Sequence, residues 1–246
     1  MLPADIRDSG VLAVGTNTPY APNEFKDSRG EIIGFDIDII TAVSQVLGLR
    51  ADIGESDFEK IIPSIESGTL SAGISSMNVT DERTAVVGMA EYFMAGTQWA
   101  TSADKDIDPD NACGLKVGVQ RTTVQETDDV PKKSADCVAR GLPPIERVSF
   151  DEQAQAANAV ALGQVDAMSA DSPVSAYAEV QSEGNIKVVG SLYDAAPYGI
   201  SLPKGSPLGP AVVAALGKLY DDGEIERIAE SWGVSDGLLD TPPGLA

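Results

Sequence analysis

The stretch that decides the fold lies near the start of the chain, where residues 11–15 read VLAVG and residues 36–47 read DIDIITAVSQVL. The first run is short, apolar and rich in valine, which is typical of a buried strand. In the second run the apolar side chains recur at helical spacing, and Gly48 follows as a stop signal. The start of the chain therefore predicts a strand followed by an amphipathic helix.

Strand and helix patterns continue to alternate along the chain, and the series begins again near residue 115. The further strands that the patterns predict are 51–53, 70–75, 115–119, 145–150, 165–169 and 186–189. The further helices are 58–67, one that starts at 122, 151–162 and 173–181. Alternation of this kind predicts α/β architecture with mostly parallel sheets covered by helices.

Two stretches in the two series resemble each other. Residues 68–75 read GTLSAGIS and residues 163–170 read GQVDAMSA, and each follows a predicted helix. A short echo of this kind suggests that the two series share the same strand–helix wiring. Each series therefore corresponds to one α/β lobe.

The two lobes are expected to be joined by two crossings of the chain. Strand-like runs at 97–101 and 198–202 flank the second series, and the helical patterns at 207–220 and 224–232 have no strand of their own. We expect these helices to return to the first lobe. The domains that follow are lobe 1 (1–100 and 198–246) and lobe 2 (101–197), with hinges at about 96–102 and 196–202. Ligands of such folds bind at strand carboxyl ends, here in the inter-lobe cleft.

The composition excludes several classes of function. The 246 residues include 38 acidic and 17 basic side chains, for a net charge of −21, and no histidine. Such a charge opposes binding to nucleic acid, and the absence of histidine rules out histidine-based triads and histidine-ligated metals. The sequence contains neither a glycine-rich P-loop with its lysine nor the G-x-G-x-x-G fingerprint of nucleotide-binding proteins. No apolar run reaches the roughly 20 residues that a membrane helix needs. We expect no metal and no cofactor.

The two cysteines, Cys113 and Cys137, lie in polar, loop-like surroundings. They pair as a disulfide or remain two buried thiols of a cytosolic protein, and the polar surroundings favour the disulfide. A disulfide indicates an oxidising, extracytoplasmic compartment. The first residues, MLPAD, show no signal-peptide pattern, so we expect a leader to have been removed.

Residues 74–83, ISSMNVTDER, carry the polar groups with the clearest chemistry. A predicted strand ends in small polar residues, and Thr80 is placed to cap a short helix that carries Arg83 one turn later. Ser76, Asn78 and Arg83 could converge on one anion, with Arg83 holding a carboxylate by two parallel hydrogen bonds. The alternative is an ordinary surface arginine on a capped helix.

Several ordered motifs resemble one known family, the polar amino-acid substrate-binding proteins of ABC importers (extracytoplasmic solute-binding family 3). They are GTNTPYAP at 15–22, GFDIDI at 34–39, TDER at 80–83 and VGVQRTT at 117–123. Shortly after the second motif, Ser44 departs from the family pattern, which usually has a smaller apolar residue at that position. The resemblance runs from Arg7 to about Gly233. It implies a two-lobed, periplasmic-binding-protein-like (type II) fold with a two-segment hinge.

The resemblance also implies roles for particular residues. Arg83 is similar to the clamp for the α-carboxylate of the ligand, Thr123 to a second-lobe contact with that carboxylate, and Asp171 to the acceptor for the α-ammonium. Asp171 could also act as a helix cap before Pro173. The ligand-binding set implied in this way is Asn17, Tyr20, Phe58, Ser76, Met77, Asn78, Arg83, Gln120, Arg121, Thr122, Thr123 and Asp171.

Ligand specificity is less evident from the sequence. Asn17 stands where relatives that select basic ligands often have aspartate, Asn23 replaces a usual aromatic residue, and Arg121 replaces a common glycine. These departures weaken the case for a cationic ligand without selecting another.

The function implied is capture of a polar amino acid outside the cytoplasm, in the periplasm or as a cell-surface lipoprotein, and delivery to the transmembrane subunits of an ABC importer. We expect a monomer that is not an enzyme and does not bind nucleic acid. One alternative is a dehydratase on the same fold, with Glu24, Glu91 or Asp171 as general acid. Another is the extracellular sensor domain of a receptor.

Overall fold

The computed structural model describes residues 2–246 and divides them into two compact units. The first unit is formed by the residues up to Ala95 together with Ala196–Ala246, and the second unit is Gly96–Ala195. The chain thus leaves the first unit after Ala95 and returns to it at Ala196.

The elements are numbered in chain order. The chain begins with α1 (Ala4–Ser9), β1 (Val11–Thr16), β2 (Phe25–Lys26), β3 (Ile32–Ile33), α2 (Phe35–Val46), β4 (Arg50–Glu55), α3 (Phe58–Glu66), β5 (Ala72–Gly73), α4 (Asp81–Val86) and β6 (Val87–Ser102). It continues with β7 (Lys116–Gln120), α5 (Val130–Ala139), β8 (Glu146–Phe150), α6 (Gln153–Ala161), β9 (Ala167–Asp171), α7 (Ser172–Gln181) and β10 (Ile186–Pro203). The last two helices are α8 (Leu208–Asp221) and α9 (Glu224–Trp232).

The sheet of the first unit has the strand order β4-β1-β5-β10. Strand β1 runs parallel to β4, from the pair Val11–Arg50 to the pair Thr16–Glu55, and parallel to β5 at Gly15–Gly73. Strand β10 is antiparallel to β5. Because β1 and β5 are parallel neighbours, the loops that follow them leave the same edge of the sheet, which is where α/β proteins place ligand-binding residues.

The core of the first unit joins residues that are far apart in sequence. Leu12 on β1, Phe35 on α2, Leu216 on α8 and Ile225 on α9 belong to one buried apolar cluster and are fully inaccessible to solvent. The two final helices therefore pack in the core of the first unit.

The second unit repeats this arrangement. Its strand order is β6-β9-β7-β8, with β7 parallel to both β8 and β9, and β6 antiparallel to β9. Strand β9 lies beside β7 just as β5 lies beside β1, so the two stretches that echo each other in sequence occupy equivalent places. The alternating residues Ala167 and Met168 belong to two different apolar clusters, as expected for a sheet covered on both faces.

The strands that connect the two units are longer than the sequence patterns suggested. The predicted strand 97–101 is only part of β6, which has 16 residues, and the predicted strands 186–189 and 198–202 are the two ends of β10, which has 18 residues. The burial along β6 is nearly continuous, and most of the first two-thirds of β10 is partly or fully exposed. Neither segment shows the in–out alternation by which a strand is recognised.

Two further differences concern the ends of elements. The helix expected from Thr122 begins with a π-helical turn at Gln125–Asp129 and becomes α-helical only at Val130. The strand expected over 70–75 pairs only at Ala72–Gly73. In both places, the sequence pattern gave the type of element but not its bounds.

Cys113 and Cys137 form a disulfide, which confirms that expectation. In the chain-entropy view, closing a loop of this length stabilises the folded state by roughly 3 kcal/mol. Within residues 2–246, none of the helices combines the length and the apolar character needed to cross a bilayer.

Candidate functional site

The loop after β1 carries Asn17 and Tyr20, which are both largely buried. The backbone N–H of Asn17 donates to the Ser75 hydroxyl over 3.0 Å, and its side-chain amide donates to the Ser56 carbonyl over 3.1 Å. Asn17 is thereby held at the edge of a shallow pocket of about 420 Å³. The pocket is lined by Asn17, Thr18, Glu55, Ser56, Asp57 and Lys60.

The loop after β5 positions Arg83. The Thr80 hydroxyl accepts the Arg83 backbone N–H at 3.2 Å, so Thr80 caps α4 as the sequence predicted. The Arg83 guanidinium donates to the Asn78 carbonyl over 2.8 Å, and its carbon lies 5.5 Å from the centre of the Phe58 ring. A carbonyl oxygen and the face of an aromatic ring both attract a cation, so these contacts hold the guanidinium in one place.

The side chains of Ser76 and Met77 point into the first unit. Ser76 has the left-handed φ of +48°, and its hydroxyl accepts a hydrogen bond from the Asn23 amide at 2.7 Å. Met77 is 2% exposed and belongs to the apolar cluster that contains Ile61 and Met89. These two side chains serve the interior packing, and the ligand contacts proposed below do not include them.

In the second unit, β7 ends at Gln120, and the turn after it begins with Arg121. The Gln120 amide donates to the Asp151 carbonyl at 3.2 Å, and Gln120 is almost fully buried. Arg121 donates to the Asp151 carboxylate at 2.7 Å, but these two side chains are 54% and 82% exposed. A surface ion pair of this kind contributes little to stability. Arg121 and Thr122 are the two exposed members of the expected set.

The next two residues of this turn are constrained by short contacts. Thr122 has a left-handed φ of +59°, and its backbone N–H donates to the Glu126 carboxylate over 2.6 Å. The Thr123 hydroxyl donates to the Gln120 carbonyl over 2.8 Å. A non-glycine residue held at positive φ is strained, and such residues concentrate at functional sites.

Asp171 lies at the carboxyl end of β9 and is only 3% exposed. Although it precedes α7, its carboxylate forms no capping hydrogen bond with that helix. One carboxylate oxygen accepts instead from the Gln125 amide at 2.8 Å, and the same amide nitrogen donates to the Thr97 hydroxyl at 3.1 Å. The π-helical turn therefore supplies a side chain that orients Asp171.

Most of the expected residues fall into two groups, one in each unit, and Gln125 joins the second group because its amide donates to Asp171. We call them the first-unit polar set (Asn17, Tyr20, Phe58, Asn78 and Arg83) and the second-unit polar set (Gln120, Thr122, Thr123, Gln125 and Asp171). Within residues 2–246, no three histidine, cysteine, aspartate or glutamate side chains are grouped to hold a metal ion.

Sequence reasoning assigned no role to Gln125 or to Asp36, and it considered Glu24 only as a general acid. Gln125 is 1% exposed and has no motif that would single it out. Glu24 and Asp36 are both fully inaccessible, and they contact the serines that precede Asn78. The signal for Asp36 was available, since it is a carboxylate at the start of an apolar helical run.

Comparison with known proteins gives a consistent result. A family model described as bacterial extracellular solute-binding proteins, family 3, matches residues 12–235. The arginine-binding protein ArgT of Corynebacterium glutamicum is 48% identical over 242 residues, which are 98% of this chain and 80% of that protein.

Two solved structures of ancestral arginine-binding proteins are also similar to this chain. An ancestral arginine-binding protein bound to arginine has a TM-score of 0.83 at 32% identity, covering 91% of this chain and 98% of that one. An ancestral arginine-binding protein bound to glutamine also has a TM-score of 0.83 at 32% identity, covering 92% and 98%. These similarities confirm the α/β fold class expected from the sequence.

Proposed function

Because this chain belongs to the bacterial extracellular solute-binding proteins, family 3, we propose that it captures a free amino acid, arginine first, and delivers it to the transmembrane subunits of an ABC importer. Proteins of this family bind amino acids and deliver them to ABC transporters. The observation that carries the proposal is a fixed guanidinium in one unit, Arg83, and a buried carboxylate in the other, Asp171. An amino acid that leaves water needs a partner for each of its two charges.

Arg83 is the proposed partner of the ligand α-carboxylate. A guanidinium carries five N–H donors in a planar fork, enough to hold the Asn78 carbonyl and a carboxylate at the same time. The contact with the Phe58 ring limits the directions that the fork can take. Arg83 can therefore bind a carboxylate without first losing much side-chain entropy.

Asp171 is the proposed partner of the ligand α-ammonium. Its burial excludes water, so an ammonium bound there is attracted more strongly than at the protein surface. The Gln125 amide fixes one carboxylate oxygen and thereby the orientation of the group. Thr122 and Thr123 are proposed as further contacts to the ligand carboxylate, with Gln120 supporting the turn.

The pocket beside Asn17 supports arginine as the first candidate. Its lining includes the carboxylates of Glu55 and Asp57, which pair with Lys26 and Lys60. A cationic ligand side chain there would compete with these lysines for carboxylate oxygens, although Asn17 itself is neutral. The 48% identical relative and the ancestral proteins are named as arginine-binding proteins, and one of the ancestral proteins is bound to glutamine.

The family and its arginine-binding member are binding proteins, in agreement with the expectation that this chain is not an enzyme. We further propose that the protein acts as a monomer outside the cytoplasm, in the periplasm or as a cell-surface lipoprotein, without a nucleic-acid partner. The crossings of the chain at 96–102 and 196–202 remain the proposed hinge.

The test is a calorimetric titration of the protein with arginine, lysine, histidine, glutamine and glutamate at pH 7. We expect one site per chain, with arginine bound most tightly and glutamate least, because the pocket beside Asn17 contains two carboxylates. An absence of binding heat for all five ligands would contradict capture of an amino acid. Tighter binding of glutamate than of arginine would contradict the proposed specificity.

A further inference from the structure

Two carboxylates lie in the interior of the first unit, where serines connect them to the loops after β1 and β5. Glu24 precedes β2 and Asp36 lies in the first turn of α2, and both are fully inaccessible to solvent. Gly34 allows this approach, because its φ is +140° and an added Cβ would lie 2.1 Å from the Asn23 carbonyl oxygen. The Asp36 backbone N–H donates to that same oxygen over 2.9 Å, which locks the start of α2 against the Glu24 segment.

The groups that surround the two carboxylates are hydroxyls, one backbone N–H and each other. The Ser75 hydroxyl donates to Glu24 over 2.7 Å, and the Ser76 backbone N–H donates to Asp36 over 2.6 Å. The Tyr92 hydroxyl donates to the other oxygen of Asp36 over 2.8 Å. The Ser76 hydroxyl lies 3.2 Å from Asp36 and 3.5 Å from Glu24.

Two adjacent buried carboxylates without a cation cannot both be ionised, because their charges repel in a medium of low dielectric constant. Burial, and next the charge of Asp36, raise the pKa of Glu24 well above its ordinary 4.5. Burial also raises the pKa of Asp36, from 3.8 to about 6. The hydrogen bond between the two side chains raises the pKa of Glu24 and lowers that of Asp36, so Glu24 is the member of the pair that keeps the shared proton.

The pair is connected to the binding loops through few bonds. Ser75 donates to Glu24 and accepts the backbone N–H of Asn17, so one hydroxyl joins Glu24 to the loop after β1. The Tyr20 backbone N–H donates to the Glu24 carbonyl over 2.7 Å. The bond from Ser76 to Asp36 holds the strained turn two residues before Asn78.

We propose that Glu24 and Asp36 are positioning residues for amino-acid binding, and that they act as a single carboxylic acid–carboxylate pair that shares one proton. The pair holds the loops that carry Asn17, Tyr20 and Asn78 in their binding arrangement. This inference rests on the proposed function of amino-acid capture.

The sign of the pH dependence follows from the raised pKa values. The titratable groups that face one another here are Glu24, Asp36 and Tyr92, and burial also raises the pKa of the Tyr92 phenol, which keeps it neutral. The folded protein holds these protons more tightly than the unfolded chain does. The pair therefore contributes most to stability at pH values below the ordinary pKa values of the two groups, 3.8 for Asp36 and 4.5 for Glu24. That contribution decreases as the pH rises through the raised pKa values of the two groups, that of Asp36 being about 6.

The test compares wild type with Glu24→Gln and Glu24→Ala, and uses Glu66→Gln, an exposed carboxylate of the same unit, as the matched control. A glutamine amide can donate to Asp36 at every pH, whereas alanine removes the side chain that Asp36, Ser75 and Ser76 contact. The measurements are the dissociation constant for arginine and the midpoint of urea unfolding at pH values from 6 to 8.5. Infrared spectra at pH 7 report the carbonyl band of a buried protonated acid.

We expect Glu24→Ala to weaken arginine binding roughly 10-fold at pH 7, and Glu24→Gln to restore most of it. With rising pH, wild type and Glu66→Gln should lose affinity and stability relative to Glu24→Gln. The infrared band should be present in wild type and Glu66→Gln and absent from Glu24→Gln.

Three outcomes would overturn the inference. One is unchanged affinity in both Glu24 variants, and another is lower stability with an unaltered pH profile of binding, which would mark a purely structural role. The third is an infrared band that survives in Glu24→Gln. If wild type binds no amino acid at all, the proposed function fails first, while the infrared and unfolding measurements still decide whether the pair shares a proton.

Discussion

Replacement of Arg83 by alanine is expected to weaken arginine binding by between about 30-fold and several thousand-fold, as measured by calorimetry. The variant loses the charge and the planar fork together, so the ligand carboxylate would be desolvated without a partner. Arg83→Lys keeps the charge but not the two parallel hydrogen bonds, and an intermediate loss is expected. Folding should be little affected, since Arg83 lies in the short helix α4, none of whose residues is buried.

The matched control for this prediction is Arg121→Ala. Arg121 has the same chemistry and also belongs to the set implied by sequence resemblance, but its partner Asp151 is exposed. We expect this variant to change the dissociation constant less than about threefold, because exposed ion pairs are worth little. Equal losses in Arg83→Ala and Arg121→Ala would show that net charge, and not the Arg83 clamp, governs binding.

Replacement of Asp171 by asparagine should weaken arginine binding to a similar extent, by between about 30-fold and several thousand-fold. Asparagine keeps the oxygen that accepts from Gln125, so the packing of the second unit is retained. It removes the negative charge, and a buried ammonium would then lack its counter-ion. Calorimetry at pH 7 measures the loss, and urea unfolding verifies that the variant is folded.

Asp151→Asn is the control for Asp171→Asn. Asp151 is also a carboxylate of the second unit, but its side chain is 82% exposed and pairs with Arg121 at the surface. Its loss should leave the affinity for arginine within about threefold of wild type. Binding that tolerates Asp171→Asn as well as it tolerates Asp151→Asn would exclude Asp171 as the ammonium partner.

Much of the fold could be predicted because its signals are local. The helical spacing of apolar residues in α2 and the alternation of short strands with helices identified the α/β class, and the matching motifs identified the family. Only parts of the long strands β6 and β10 were predicted, because their burial depends on the elements around them. Short-range patterns cannot report such contacts.

In the candidate site, too, the local features could be predicted from the sequence and the long-range contacts could not. Thr80 as a cap and Arg83 one turn later follow from local helix chemistry, and the structure shows that bond. The contact between Gln125 and Asp171 joins residues 46 positions apart, and that between Ser76 and Asp36 joins residues 40 apart. Only the folded chain reveals these supporting contacts, because no periodicity connects residues at such separations.

The most direct measurement titrates three ligands into wild type, Arg83→Ala and Asp171→Asn: arginine, agmatine, which lacks the carboxylate, and the arginine analogue that lacks the α-amino group. If the two side chains bind the two charged groups of one ligand, Arg83→Ala should weaken the binding of arginine and of the deaminated analogue but leave the binding of agmatine nearly unchanged. Asp171→Asn should weaken the binding of arginine and of agmatine but leave the binding of the deaminated analogue nearly unchanged. Equal losses for all three ligands in either variant would contradict the assignment of Arg83 to the carboxylate and Asp171 to the ammonium.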